Sequence, residues 1–474
     1  MPLRVLHQPE QSSRPAEPLI AACAKLAPKA AAWGNSDAGW WHFERFDWLP
    51  ACAALPHGDA VRCAQQFMTA WLEQSGQYRP RAWSRRITAA RLFTLLQYLP
   101  ILQQGRDAPW REAILDTIAR QGRHLRRMEK RRGDSDPSFL DVSVTRSLVA
   151  LCMPEDRGIG VPGGHVLDTS LTRLAGGHLP LDWRVAEDAL TSLNLLDALQ
   201  NAYIARRLSP PAPLAEARKV ARLYVGGLMD APDRFAALPC GHDGDRQKLQ
   251  RLHLLRREEA DGLLAGLGLR RLQQGKLLVH ADLGHDDAGD FGAGSFSLTD
   301  GDERVVINCG APSSFAAAVT PAMAKWRSAL LSVPATSTLD EMADTPARGK
   351  LQSSDEGSVL TMTRRHGGAF HQRRLWLAPS GDNVRGEDVC RNPAKDALYR
   401  FHLPAGATVT RLDDKLTVDI RLATGKLWRF ATGSARVDVA ESVDATRDGI
   451  VEPSHQIELY PEREGVRWAF TRQD

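Results

Sequence analysis

The 474-residue chain contains no apolar run near the roughly 20 residues that a membrane-crossing helix needs, so no membrane span is expected. Its first residues, "MPLRVLHQPEQSSRPAEP", lack the apolar core and small-residue cleavage site of a secretory signal, which points to a cytoplasmic location. Seven cysteines (Cys23, Cys52, Cys63, Cys152, Cys240, Cys309 and Cys390) show no paired spacing. That argues against a disulfide frame or a zinc site and for buried thiols in a reducing compartment. Neither GxSxG, nor a P-loop, nor HExxH occurs, which removes the standard nucleophile-elbow, nucleotide-triphosphate and zinc-protease readings. A strong net charge is missing too. The balance of 61 basic and 57 acidic residues leaves +4, which permits an anionic partner without demanding one.

What is present describes a folded protein of more than one domain. Hydrophobic residues make up 43% and charged residues 25%, a globular balance, and the length exceeds what one ordinary core accommodates. Up to about residue 267, segments such as "RRITAARLFTLLQYLPILQQ" (85–104) and "RVAEDALTSLNLLDALQNAYIARRL" (184–208) carry apolar residues at helical spacing. Pro- and Gly-rich joints such as "YRPRAW" and "GIGVPGGH" separate them, and antiparallel helices of this length suit a toroid or a solenoid. From residue 268 the period becomes two, in "KLLVHADL", "GSFSLTDGDERVVIN" and "TVTRLDDKLTVDIRLATGKLWRFAT", with turn residues between the runs. The expected fold is therefore α+β and multidomain, with residues 1–267 helical and residues 268–474 antiparallel β-sheet.

Four polar or aromatic concentrations stand out. "WGNSDAGWWHFERFDWLP" crowds Trp33, Trp40, Trp41, Phe43, Phe46 and Trp48 beside His42, Glu44 and Arg45. Exposed rings such as Trp40 and Trp41 can stack on sugar faces; the same rings can equally plug the end of a helical domain. "RQGRHLRRMEKRR" (120–132) is basic but carries no RNA-binding or helix-turn-helix signature, so no nucleic-acid partner is expected. It reads as a charged helix face that can still attract an acidic glycan. "TRRHGGAFHQRRLWL" (363–377) places His371 and Arg373 on one strand face and Gln372 and Arg374 on the other. Arginines such as Arg365 and Arg373 match a carboxylate, and histidine titrates near neutrality, a pairing suited to a uronate; an exposed strand paired with acidic neighbours is the plain alternative. "GGHLPLDW" sets His178 after two glycines at an interhelical bend, as a proton carrier or as a structural hydrogen-bonding residue.

Taken in order, these segments resemble the heparinase II/III-like polysaccharide lyases, especially their shorter, diverged members. "WSRRITAARLFTLLQYLPIL" and "RQGRHLRR" look like the family's early helices, "GGHLPLDW" like its Asp-Gly-Gly loop, and "GSFSLTDGDERVVINCGAP" like its first β hairpin. "WRSALLSVPATSTL" is similar to the His-Ser-Thr strand, and "HQRRLWLAPSGDNVRGED" to the His-Arg-Arg strand and Gly-Glu-Asp turn. The resemblance implies an N-terminal (α/α) toroid followed by a β-sandwich, and β-elimination on an acidic polysaccharide or oligosaccharide. The motifs nevertheless depart from the family. Where its His-x-His-x-Asp-x-Gly-x-Phe pattern would lie, the chain has Ala288, Asp290, Gly292, Gly294 and Phe296. Asn308 stands for a metal-site aspartate, Thr336 for a histidine, and Val185 for the usual tyrosine. Alanine moves no proton, and oxygen ligands alone suit zinc poorly, so no metal or other cofactor is expected.

Two expectations follow. One is a diverged lyase in which His178 and His371 act as acid and base while Trp40, Trp41, Arg365 and Arg373 bind substrate. The other is an inactive lyase relative that binds a glycan or a protein.

Overall fold

The computed structural model describes residues 43–53, 57–75, 78–131, 139–153, 157–238, 243–244, 246–250, 257–284, 294–310, 345–366, 369–391, 398–433, 435–446, 452–461 and 464–473. It divides into two compact units. One contains the helices up to Pro180 together with Leu190–Ala221, and the other takes Leu181–Ala189, Arg222–Ser313 and the strands that follow. Among the described residues the last helix ends at Gly266 and the first long strand begins at Leu269. The change of hydrophobic period at 268 thus falls after the change of compact unit, because a short hairpin, Met229–Ala231 with Arg234–Phe235, already belongs with the strands.

The first unit is built from α1 (Trp48–Ala53), α2 (His57–Ser75), α3 (Arg85–Gln103), α4 (Ala108–Arg131), α5 (Leu140–Cys152), α6 (His165–Ala175), most of α7 (Ala186–Ala205) and the start of α8 (Leu214–Gly227). Helix α3 packs against α2, α4 and α5 and is apolar nearly all round; Ile87, Leu92, Leu95, Leu96 and Leu99 are all buried. A helix without a polar face belongs inside a bundle. A charged side chain of α3 is buried there. Arg91 is fully buried and donates to the Glu44 carboxylate (3.1 Å), the Glu44 carbonyl (2.8 Å), the Ala82 carbonyl (3.0 Å) and Gln121 Oε1 (2.7 Å). Trp71 Nε1 shares the same carboxylate at 2.9 Å. Burial pulls Arg91 down to about 10, against the raising effect of Glu44. Glu44 is therefore a core partner and not a sugar ligand. The neighbouring aromatics agree: Phe43, Phe46 and Trp48 are buried, with Trp48 stacked on Phe67 and Phe46 edge-on to Trp71. Trp33, Trp40 and Trp41 lie outside the described residues.

In the second unit the strands among the described residues form three antiparallel sheets besides the short hairpin. A four-stranded sheet runs in order β3 (Leu269–Gln274), β4 (Leu277–Asp282), β5 (Phe296–Asp300) and β6 (Glu303–Val306). An eight-stranded sheet has the order β12 (Thr408–Arg411), β13 (Thr417–Arg421), β14 (Leu427–Thr432), β17 (Gly465–Arg472), β10 (Asn383–Arg391), β9 (Ala369–Leu377), β8 (Gly357–His366) and β7 (Thr345–Ser354). Tyr399–His402 (β11), Glu452–Tyr460 (β16) and Arg436–Asp444 (β15) make the third. Period-two burial governs β10 (Asn383–Arg391), β14 (Leu427–Thr432) and β17 (Gly465–Arg472), so each sends one face inward. Their inward residues join Phe296, Phe401, Phe430, Trp468 and Phe470 in one apolar core.

Candidate functional site

Strands β9 (Ala369–Leu377) and β10 pair so that Arg373 faces Asp388 and His371 faces Cys390. The alternation expected of His371 and Arg373 is present, but it points them into the core. His371 is 6% and Arg373 5% exposed, whereas Arg374 is exposed and pairs with Glu387. Both inward groups converge on one carboxylate. Asp388 Oδ1 accepts from His371 Nε2 (2.8 Å) and Arg373 Nε (2.7 Å); Oδ2 accepts from Arg373 Nη2 (3.2 Å) and Trp468 Nε1 (2.7 Å). Arg373 Nη1 also donates to the Gly294 carbonyl at 2.9 Å, and its guanidinium lies 5.6–5.9 Å from the rings of Phe296, Tyr399, Phe401 and Trp468. Burial raises the Asp388 carboxyl, but the Arg373 charge and the His371 hydrogen bond outweigh it and hold the group far below the usual carboxylate range.

A backbone detail makes this cluster buildable. Gly386 faces Trp468 across β10 and β17, and a Cβ there would lie 2.0 Å from the indole ring. The missing side chain lets the indole lie against β10 and reach Asp388, two residues along on the same face. The Gly-Glu-Asp segment, expected as a turn, is thus mid-strand. Gly386, Asp388 and Trp468 were not among the candidate residues. Their signal is in the hairpin: folding the chain about "APSGDN" pairs Leu377 with Val384, which carries Arg373 to Asp388. This is a buried ion cluster in which Asp388 holds both His371 and Arg373.

His178 is exposed and sits just beyond α6. Its backbone N–H donates to the Arg173 carbonyl (3.0 Å), while Gly177, at φ 83°, donates to Leu174 (2.9 Å). That pattern is the glycine-dependent cap of a helix C-terminus, which explains Gly177 but not Gly176, whose φ of −81° any residue adopts. His178 and His371 belong to different compact units. Next in sequence, Trp183 is buried at a tilted 5.7 Å from Tyr224, whose hydroxyl donates to the Trp183 carbonyl at 2.9 Å. Burial drives the Tyr224 hydroxyl far above its ordinary value, so near neutrality it stays protonated as the donor to that carbonyl. Arg184 is committed to Asp282 at 2.6 Å and to the Leu267 carbonyl.

The remaining candidate positions lie elsewhere. Arg365 lies on β8 (Gly357–His366), paired with Phe370 in the ladder. Ala288, Asp290, Gly292 and Thr336 lie outside the described residues. Asn308 is buried, and its amide donates to the Ala237 carbonyl at 2.8 Å and more weakly to Phe296 at 3.4 Å. Both of these acceptors are backbone carbonyls, so the amide is spent on the main chain. Among the described residues no group of three or more His, Cys, Asp or Glu side chains is arranged to hold a metal ion. Beside Asn308, Ser442 Oγ lies 2.8 Å and Cys309 Sγ 3.3 Å from His402 Nδ1. Burial pushes the Cys309 thiol up to about 12 and His402 down to about 3, so the pair is neutral and not an activated nucleophile.

A helical unit joined to antiparallel sheets defines a polysaccharide-lyase fold. The chain superposes on the crystal structure of heparinase III with a TM-score of 0.65 at 12% identity, covering 99% of this chain and 87% of that one. Chondroitin AC lyase from Streptomyces coelicolor A3 gives 0.51 at 10% identity, over 98% and 80% of the two chains. Residues 256–468 match the family model for the heparinase II/III-like C-terminal region. A curated relative, the FtsZ-localized protein C of Caulobacter vibrioides (strain NA1000 / CB15N), is 23% identical over 494 residues, 90% of this chain and 81% of that protein. Among the described residues no helix is long and apolar enough to cross a membrane.

Proposed function

We propose that this protein binds an acidic, uronate-containing glycan on a lyase fold without cleaving it. The observation that carries the reading is the commitment of His371 and Arg373 to the buried Asp388 carboxylate. β-Elimination requires a group that neutralises the uronate carboxylate and a base that removes the C5 proton; these two side chains would have supplied both. A buried, multiply hydrogen-bonded carboxylate leaves neither available. His178, alone at a helix cap, lacks a described partner for acid–base work. The test is to incubate purified protein with alginate, heparosan, hyaluronate and glucuronan and follow the ultraviolet absorbance of an unsaturated product. No absorbance is expected, together with retention of the protein on at least one immobilised acidic glycan. Sustained product formation overturns the reading.

A second reading has its own support. The similarity to a relative named for its localisation with FtsZ spans 90% of the chain, which favours a role at an FtsZ assembly through a protein partner. A fluorescent fusion that follows FtsZ, paired with no glycan retention, would favour it over the first.

A further inference from the structure

The basic stretch of α4 is divided between two tasks. Arg123 Nη1 donates to the Arg157 carbonyl (2.7 Å) and Arg126 Nη1 to that of Gly158 (3.4 Å), so these two pin the glycine-rich loop that follows α5. Arg120, His124 and Arg127 lie at i, i+4 and i+7 and share a different stripe of the same helix. Above His124 sits the turn "YRPRAW". It is closed by Trp83 N donating to the Arg79 carbonyl at 2.9 Å, and it leaves Arg79 exposed. The turn is anchored by its second aromatic: Trp83 is 5% exposed, edge-on to His124 at 5.4 Å, and its carbonyl lies 2.8 Å from His124 Nε2. Its first aromatic is open. Tyr78 is 60% exposed, with its ring 5.6 Å from Trp83 and 5.7 Å from His124. Two rings behind it hold Tyr78 in place while its remaining surface faces water.

Charge makes the surroundings specific. Among the described residues Arg79, Arg120 and Arg127 form no ion pair, although Arg120 is half-buried and donates from Nη2 to Thr117 Oγ1 at 3.1 Å, and the acids earlier on α4, Glu112 and Asp116, are both taken by Arg157. Trp83 Nε1 is buried and has no acceptor among the described residues. An immobilised ring flanked by unpaired guanidiniums combines a platform for a sugar face with forks for its carboxylates.

We infer that Tyr78, with Arg79, Arg120 and Arg127, forms a binding site for an acidic oligosaccharide on the helical unit. The inference rests on the proposed glycan-binding function and gives it a place away from the Asp388 cluster. Spacing favours a saccharide over a nucleic acid. Arg120 and Arg127 are seven residues apart, about 10 Å along the helix axis, which matches one carboxylate per disaccharide. A nucleic-acid strand presents a charge every ~3.4 Å and is met by successive stacking rings, and here a single ring is open.

The test titrates the full chain with a heparosan hexasaccharide by calorimetry, beside a neutral cello-oligosaccharide and a single-stranded RNA of similar length. Wild type is expected to bind the heparosan fragment and not the neutral one. Tyr78→Ala should weaken binding about tenfold, and Arg79→Gln with Arg127→Gln should weaken it further and flatten its salt dependence, all with unchanged melting temperatures. Heparosan binding that survives these substitutions overturns the site but leaves the glycan-binding function standing. No binding by wild type to any acidic glycan overturns both. RNA bound more tightly than heparosan through the same residues overturns the assignment of ligand.

Discussion

His371 and Tyr78 each stand in a dense polar stretch of sequence beside arginines, yet the two regions have opposite environments. At His371 the arginine is caged by aromatic rings and neutralised by Asp388, with His371 itself 6% exposed. At Tyr78 the aromatic ring is 60% exposed and the nearby arginines lack acidic partners among the described residues. The same residue types build an interior keystone in one place and a surface in the other. A buried charge must be paired on the spot, whereas a solvated one can wait for a ligand.

The sharpest way to break this contrast is to remove one side of the interior pair. Arg373→Met leaves Asp388 as a buried charge short of its main partner and should lower unfolding free energy by about 3–5 kcal/mol, read by urea denaturation. The effect of Arg127→Gln measured the same way should fall within about 0.5 kcal/mol. The interior pair also has a pH signature. Asp388 is held below its ordinary value, so its contribution is complete above the unfolded carboxylate value near 3.9 and is lost as pH falls further. Asp388→Asn, though less stable throughout, should show a flatter acid limb.

A smaller effect is expected from Gly386→Ala, which drives a methyl group into Trp468. Overpacking of this kind costs about 1–3 kcal/mol and should appear as a lower melting temperature with altered tryptophan fluorescence. His402 supplies a second titration. Folded, it stays neutral down to about 3, while the unfolded histidine protonates near 6.5. Unfolded chains therefore bind the extra proton, and stability should fall by about 1.4 kcal/mol per pH unit as pH drops from 6.5 toward 3. His402→Gln should remove that slope in pH-dependent denaturation. The smallest change is expected at His178. Its structural role is carried by its backbone N–H, so His178→Ala should shift stability by no more than about 0.5 kcal/mol and leave glycan retention unchanged.

Much of the architecture was legible in the chain alone. Helical and period-two patterns separated the two regions, the alternation of His371 and Arg373 was read correctly, and the ordered motifs pointed to the lyase fold that superposition shows. Local periodicity suffices for this because it records which positions of an element share a face. It does not record which face turns inward. His371 and Arg373 looked like a substrate-facing pair until β10 brought Asp388 and β17 brought Trp468 against them, 15 and 95 positions along the chain from Arg373. Helix α4 shows the converse. Its basic run was plain in the sequence, but only packing separated the arginines that pin a loop from those left beside Tyr78. The chain by itself determined where charge and aromatic surface are concentrated; the tertiary structure decided which of those charges are neutralised, because pairing depends on neighbours that sequence distance does not reveal.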